Sequence, residues 1–376
     1  MKNGLYSVTD KALFDALIQS KVTHENMKDL FFKRGIIISK ETGRKSLAAD
    51  FSRYFHGFSD YDKLSNILGS VGRREKSTTN IINGGVDRAE VEAALKETIT
   101  ALKKEGDIAN FAYVENEGIE VTIKYIKLDY KLSEFRQSST REAKILIEPT
   151  DDGLFHLRFP PNSKAQEFVE IFTNSLKSID KEKQISIDEI TLESVKDPLQ
   201  RTLFFKKLIE SIDTYEFMDV SDVYVSHQDI EIAKTESVSD IEENDEENDE
   251  EVKVETGYHI SKASLKGRGV LDSPELNNFL RKDFYITRII WTAKVRGFPD
   301  SDKAEFEAQF IDSDKCTLFS YLVRGYYKYI SIAEFRDTKV SFDKEKEKLI
   351  SSYIEKAARD ISNDIIRLNT VSVKTD

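Results

Sequence analysis

The sequence predicts a mixed α+β protein: a helical N-terminal module, two mixed β/α domains separated by an acidic disordered linker, and a long C-terminal helix. Three observations carry this. Apolar residues recur at helical spacing up to about residue 106 and then switch to alternation with period 2. A run of ten carboxylates without Lys or Arg, "ESVSDIEENDEENDEE" (236–251), interrupts the chain. Beyond it, strand-like segments resume and end in an amphipathic stretch of some seven turns. The expected boundaries are 1–106 for the helical, basic module, 107–232 for the first mixed domain, 233–256 for the linker and 257–376 for the β-rich domain.

The elements follow in order. "TDKALFDALIQS" places Leu13, Phe14, Leu17 and Ile18 on one face, with Thr9 or Asp10 as N-cap. "THENMKDLFFKRG" repeats the pattern: Thr23 caps, Met27, Leu30 and Phe31 face inward, and Gly35 closes. "RKSLAADFSRYF" continues with Leu47, Phe51, Tyr54 and Phe55, and "DYDKLSNILGS" supplies a fourth short helix. "GSVGRREKSTTNIINGG" (69–85) is rich in Gly, Ser, Thr and Asn and reads as a basic loop. "VDRAEVEAALKETITALKKEG" is a helix with the stripe Val91, Ala94, Leu95, Ile99 and Leu102, ended by Gly106. "GIEVTIKYIKLDYKL", "AKILIEP" and "GLFHLRFP" are strands. "SKAQEFVEIFTNSLKSI" and "DPLQRTLFFKKLIESI" are helices flanking a strand-like "QISIDEITL", and "MDVSDVYVSH" is extended.

The acidic run has no apolar periodicity and nothing to bury, so self-repulsion keeps it solvated. It can also mimic nucleic acid over a basic groove. After it come four strand segments and a short helix with Ser273 as N-cap and Pro274 at N1. The closing helix has the stripe Leu349, Ile350, Tyr353, Ile354, Ala357, Ile361, Ile365 and Ile366. That stripe fits core packing, or a homodimer contact between helices.

Charge is segregated. The chain carries −12 overall, most of it in the acidic run, whereas residues 1–76 hold 14 Lys/Arg against 9 Asp/Glu. Local fields decide encounters, so net acidity does not exclude a nucleic-acid partner. The single cysteine, Cys316, excludes an internal disulfide and a Cys-based zinc site. No apolar signal segment or membrane span is expected, which points to a reducing, cytoplasmic location.

The stretch "MKDLFFKRGIIISKETGRKSLAADF" (27–51) concentrates the functional signal. A short helix stops at glycine, an extended basic loop follows, and a second helix begins. The order of Thr23, Met27, Leu30, Phe31, Gly35, Ile36, Gly43, Lys45, Leu47 and Phe51 resembles the SAP and related helix–extended-loop–helix modules, over residues 20–56 only. The resemblance implies binding of duplex DNA through phosphates, without sequence preference, with Lys40, Arg44, Lys45 and the second helix's amides facing the backbone. Tyr54 and Phe55 depart from the family's polar ending, and Glu41 and Asp50 dilute the charge. Helix N-termini and basic loops suit phosphates on physical grounds as well. The expected contacts are Lys33, Arg34, Lys40, Arg44, Lys45 and Arg53, joined by a second cluster, Arg73, Arg74 and Lys76.

No catalytic signature stands out. The five histidines are isolated, and "KGRG" at 266–269 lacks the context of a P-loop. One enzyme alternative is a Mg²⁺-dependent nuclease of the restriction-endonuclease type, with Asp129 ending one strand and Glu142 and Lys144 in "REAKILIEP". Acid-x-Lys recurs by chance in so charged a chain. Otherwise no cofactor is expected. Strand alternation in "LVRGYYKYISI" puts Tyr327 and Tyr329 on one face and Tyr326 and Lys328 on the other, the layout of a core-and-rim strand or of a base-stacking surface. The leading expectation is a non-enzymatic DNA-binding accessory or scaffold protein that also contacts an unidentified protein. It would serve a multi-protein system such as bacterial antiviral defence or genome maintenance. The further alternative is a structural interaction module without nucleic-acid affinity.

Overall fold

The computed structural model describes residues 8–69, 75–114, 118–135, 137–150, 152–179, 181–227, 260–332 and 334–372. They form a mixed α+β structure of nine α-helices and two six-stranded sheets. Two compact units divide the chain. One holds residues up to 75 and 81–187, the other 76–80 and 188–376.

The first unit begins with α1 (Asp10–Ile18), α2 (His24–Phe32), α3 (Arg44–Ser52) and α4 (Phe58–Gly69). Thr9 caps α1 by accepting from the Ala12 amide at 3.2 Å, as its type and position suggest. Leu13, Leu17, Leu30, Phe31, Leu47, Phe51 and Leu64 close one small core with Phe135. Ile18, expected on that face, is exposed; Ala12 and Ala16 take the buried positions.

Next come β1 (Thr78–Asn83), α5 (Arg88–Glu105), β2 (Ile108–Tyr113), β3 (Ile119–Leu128), β4 (Ser138–Pro149), β5 (Phe155–Phe159), α6 (Ser163–Ile179) and β6 (Ser186–Glu189). The sheet order is β2-β3-β4-β5-β1-β6, with β2 to β5 joined as antiparallel neighbours. Alternation aims Val121, Ile123, Ala143, Ile145 and Leu157 at the stripes of α5 and α6, which pack together. Every predicted stripe residue of α5 is buried, and Gly106 ends the helix in the left-handed region, φ +102°. The span 69–85 is not all loop: β1 lies within it.

The second unit contains α7 (Pro198–Glu210), β7 (Tyr215–His227), β8 (Lys262–Lys266), α8 (Pro274–Leu280), β9 (Phe284–Val295), β10 (Lys303–Asp312), β11 (Thr317–Ser331), β12 (Glu334–Val340) and α9 (Lys344–Ser372). The order β12-β11-β10-β9-β7-β8 is antiparallel at every step. α7 and α9 cover one face over a core of Phe204, Phe205, Trp291, Phe306, Phe310 and Phe319.

Three findings bear on the expectations above. Internal contacts group the chain into two units on either side of Ile187, and α7 and β7 fall with the later strands because β7 pairs with both β8 and β9. The acidic run lies outside the described residues. Its flanks, β7 and β8, are antiparallel neighbours in one sheet of the second unit. The apolar stripe of α9 is spent on its own unit: Ile350, Ile354, Ala357, Ile361 and Ile365 are buried there, leaving Leu349 exposed. That face is therefore not available for a homodimer contact.

Candidate nucleic-acid interface

The helix–loop–helix of residues 23–52 is built by local chemistry. Thr23 and Asn26 form a reciprocal capping box: the Asn26 amide donates to Thr23 Oγ1 at 3.2 Å, and the Thr23 amide donates to Asn26 Oδ1 at 2.9 Å. At the other end Gly35 takes φ +74°, and the Ile36 amide donates back to the Phe31 carbonyl at 3.1 Å. The chain then runs extended. Ile36 and Ile38 pack on the helical core while Ile37, between them, points outward. Ser39 accepts from the Thr42 amide at 3.2 Å to close a turn, and Gly43 starts α3.

Gly43 offers no side chain to the first amides of α3. These amides carry the positive end of the helix dipole. Lys45 sits in that first turn and Lys40 three residues before Gly43. Both are exposed and, among the described residues, neither has an ion-pair partner. Lys33 and Arg53 occupy the C-caps of α2 and α3, also exposed and unpaired. Lys40 and Lys45 thus lie at the start of α3 and Arg53 at its end, roughly 13 Å away for nine helical residues, with Lys33 at the end of α2.

Two of the expected contacts have other employment. The Arg44 guanidinium donates to the Gln19 carbonyl at 2.7 Å and to Ile18 at 3.4 Å, closing the C-terminal end of α1. Arg34 donates to the Phe55 carbonyl at 2.6 Å and to Asp60 Oδ2 at 2.7 Å, and lies over the rings of Phe51 and Tyr54. His56 completes this knot by donating from Nε2 to the Phe51 carbonyl at 2.8 Å, which leaves Nδ1 to accept from Arg34. Arg34, Ile36, Arg53, Tyr54 and Phe55 line an open groove of about 380 Å³, with the Phe55 ring fully in solvent.

The second basic cluster is not brought to this surface. Arg73 and Arg74 lie outside the described residues. Lys76 belongs to the second unit, where its ammonium meets Glu307 at 2.9 Å and Gln309 at 2.8 Å.

That contact opens a polar cluster on the second sheet that the sequence analysis did not anticipate. On the sheet face opposite α7 and α9, Glu307 is almost wholly buried and meets Lys76, Arg288 and Arg324, each within 3 Å. Glu305 meets Arg324 at 2.8 Å and also Lys339, and it accepts from the Tyr327 hydroxyl at 3.1 Å. Burial pushes the Glu307 carboxyl up. The charges of Lys76 and Arg288, the Lys76 hydrogen bond and the charge of Arg324 outweigh burial and hold it below the usual range. The signal was present in "KAEFEAQF", where Glu305, Glu307 and Gln309 alternate with Phe306, Ala308 and Phe310. Cations cover the aromatic rings here as well: Lys303 lies 4.8 Å from the ring centres of both Tyr327 and Phe335. Tyr326, on the opposite face, packs on Phe342, the core-and-rim arrangement.

The nuclease residues are not assembled. Asp129 lies in the β3–β4 turn, accepting from the Lys131 amide at 2.9 Å. Glu142 is opposite Lys124 in β3, five residues back and so roughly 16 Å away. It is half exposed between Lys124 and Lys144, at 3.7 and 3.6 Å. The only gathering of acids within reach of one ion, among the described residues, is Glu105, Asp107 and Glu167. The Lys164 ammonium already serves it, at 2.9 Å from Asp107 and 2.7 Å from Glu167. No helix among the described residues is long and apolar enough to cross a membrane.

No family model matches this chain, and no curated protein matches it.

Proposed function

We propose that the N-terminal helical module binds the phosphate backbone of duplex DNA without reading its sequence, as the non-enzymatic docking part of a cytoplasmic multi-protein system. The observation that carries this reading is the α3 N-terminus. Its first-turn amides have no side-chain cap, and two unpaired, exposed lysines, Lys40 and Lys45, flank it. Such an end accepts a phosphate oxygen through main-chain N–H groups, and the lysines add charge without imposing a base preference. Lys33 and Arg53, at the C-terminal ends of α2 and α3, supply further points of contact. Arg34 and Arg44 act as positioning residues, since both tie helices together.

The test is duplex binding by fluorescence anisotropy on the full chain, with Lys40→Glu/Lys45→Glu as the variant. Both side chains are exposed, so the fold should survive the exchange. A loss of affinity of at least tenfold, equal for unrelated sequences, supports the proposal. Unchanged affinity removes it.

A further inference from the structure

Among the described residues, four strands form the edges of the two sheets, and three of them are defended against pairing. β6 has only four residues; β8, "KASLK", has a lysine at each end; β12, "EFRDTKV", carries four charges in seven residues. Short length and charge are the usual means of preventing edge-to-edge association. β2, "IANFAY", has neither a charge nor a proline, and its Ile108 and Tyr113 are well exposed. An undefended edge is otherwise a liability, which points to a strand that is meant to be paired.

We infer that β2 pairs antiparallel with β2 of a second copy of this chain, about a two-fold axis at Asn110, joining two six-stranded sheets into one of twelve strands.

The register follows from the backbone. The Val114 amide donates to the Gly118 carbonyl across the β2–β3 hairpin, so the main-chain groups of alternate residues from Val114 back to Ile108 point to β3. The groups of Ala109, Phe111 and Tyr113 therefore point to the open edge. In a two-fold antiparallel pair, opposed residues share a face. With the axis at Asn110, Ala109 of each copy stands opposite Phe111 of the other, and their main-chain groups exchange four hydrogen bonds. Ile108 stands opposite Ala112, so each large side chain meets a small one. Asn110 meets its own copy, and an amide both donates and accepts, so the pair satisfies itself. The face bearing Ala109 and Phe111 is the one under α5 and α6, where Phe111 is only partly buried at the core margin. The second copy completes that burial. A second copy fits better than a charged peptide because the strand presents no charge for such a peptide to answer.

The experiment is sedimentation equilibrium of the full chain over a wide concentration range, with two substitutions at the exposed Asn110. Asn110→Lys opposes two like charges on the axis and is expected to give a monomer with an unchanged circular-dichroism spectrum. Asn110→Cys places two thiols at a non-hydrogen-bonded pair, with Cα atoms about 4.5 Å apart, inside the range a disulfide spans. Mild oxidation should convert this variant to a covalent dimer, while the parent chain, whose Cys316 is buried, stays uncrosslinked. A parent chain that is monomeric up to its solubility limit overturns the inference. So does a dimer that survives Asn110→Lys, or one whose Asn110→Cys form does not crosslink.

Discussion

Arg34 and Arg44 have the residue type and loop position of phosphate ligands, yet both donate to backbone carbonyls, Arg34 to Phe55 between α3 and α4 and Arg44 to the C-terminal end of α1. Composition cannot separate the two uses, because the partners lie 21 to 26 residues away in sequence. Lys40 and Lys45, by contrast, are exposed and have no ion-pair partner among the described residues, although Glu41 adjoins the first and stands four residues before the second. Removing the Arg44 guanidinium should cost about 1.5 kcal/mol locally, the typical worth of a hydrogen bond to a charged group. In Arg44→Ala, hydrogen exchange should therefore quicken in the last turn of α1 while the sheets keep their protection. Glu307 gives a second prediction. Its folded pKa is depressed, so its contribution is complete above the ordinary carboxylate pKa near 4.5 and is lost as pH falls through the lower folded value. Acid unfolding followed by Trp291 fluorescence, within the same unit, should be steeper in the parent than in Glu307→Gln below that pH.

At the scale of elements, the periodic helices were readable and the sheet partners were not. The stripes of α5 and α9 face inward almost as written, because an eighteen- or twenty-nine-residue helix repeats its pattern enough times to leave no alternative. β1 was hidden in "TTNIIN", whose Thr78, Thr79 and Asn80 are buried in spite of their polarity. β7 was legible as extended but its partners β8 and β9 were not, since alternation fixes a strand's faces and says nothing about its neighbours. Gly325 in β11 shows how tightly one pairing is made. It has φ +126°, and a Cβ there would lie 2.5 Å from the Val340 carbonyl oxygen of β12. Gly325→Ala should destabilise the second unit by roughly 1–3 kcal/mol, read as a lower urea midpoint by Trp291 fluorescence. Edge strands were legible only in part: the absence of charge in β2 is visible in the sequence, but its place at an edge is not.

At the scale of the whole molecule, the α+β class was legible in the two hydrophobic periods, whereas the grouping of the chain into two units rests on contacts between distant segments that composition does not carry. The acidic run looked like a boundary because it is the largest change in composition. The strands on either side of it, β7 and β8, pair within one sheet. It follows that composition marks where a chain leaves its core, not where one core ends and another begins. The central claim is that unpaired cations around α3 hold DNA phosphates. It is tested most directly by the slope of log affinity against log salt for duplex DNA. Four phosphate contacts, from Lys33, Lys40, Lys45 and Arg53, predict a slope of about −3.6, and Lys40→Glu/Lys45→Glu should reduce its magnitude by about half. A slope that the substitution leaves unchanged, or no binding at low salt, would contradict the account.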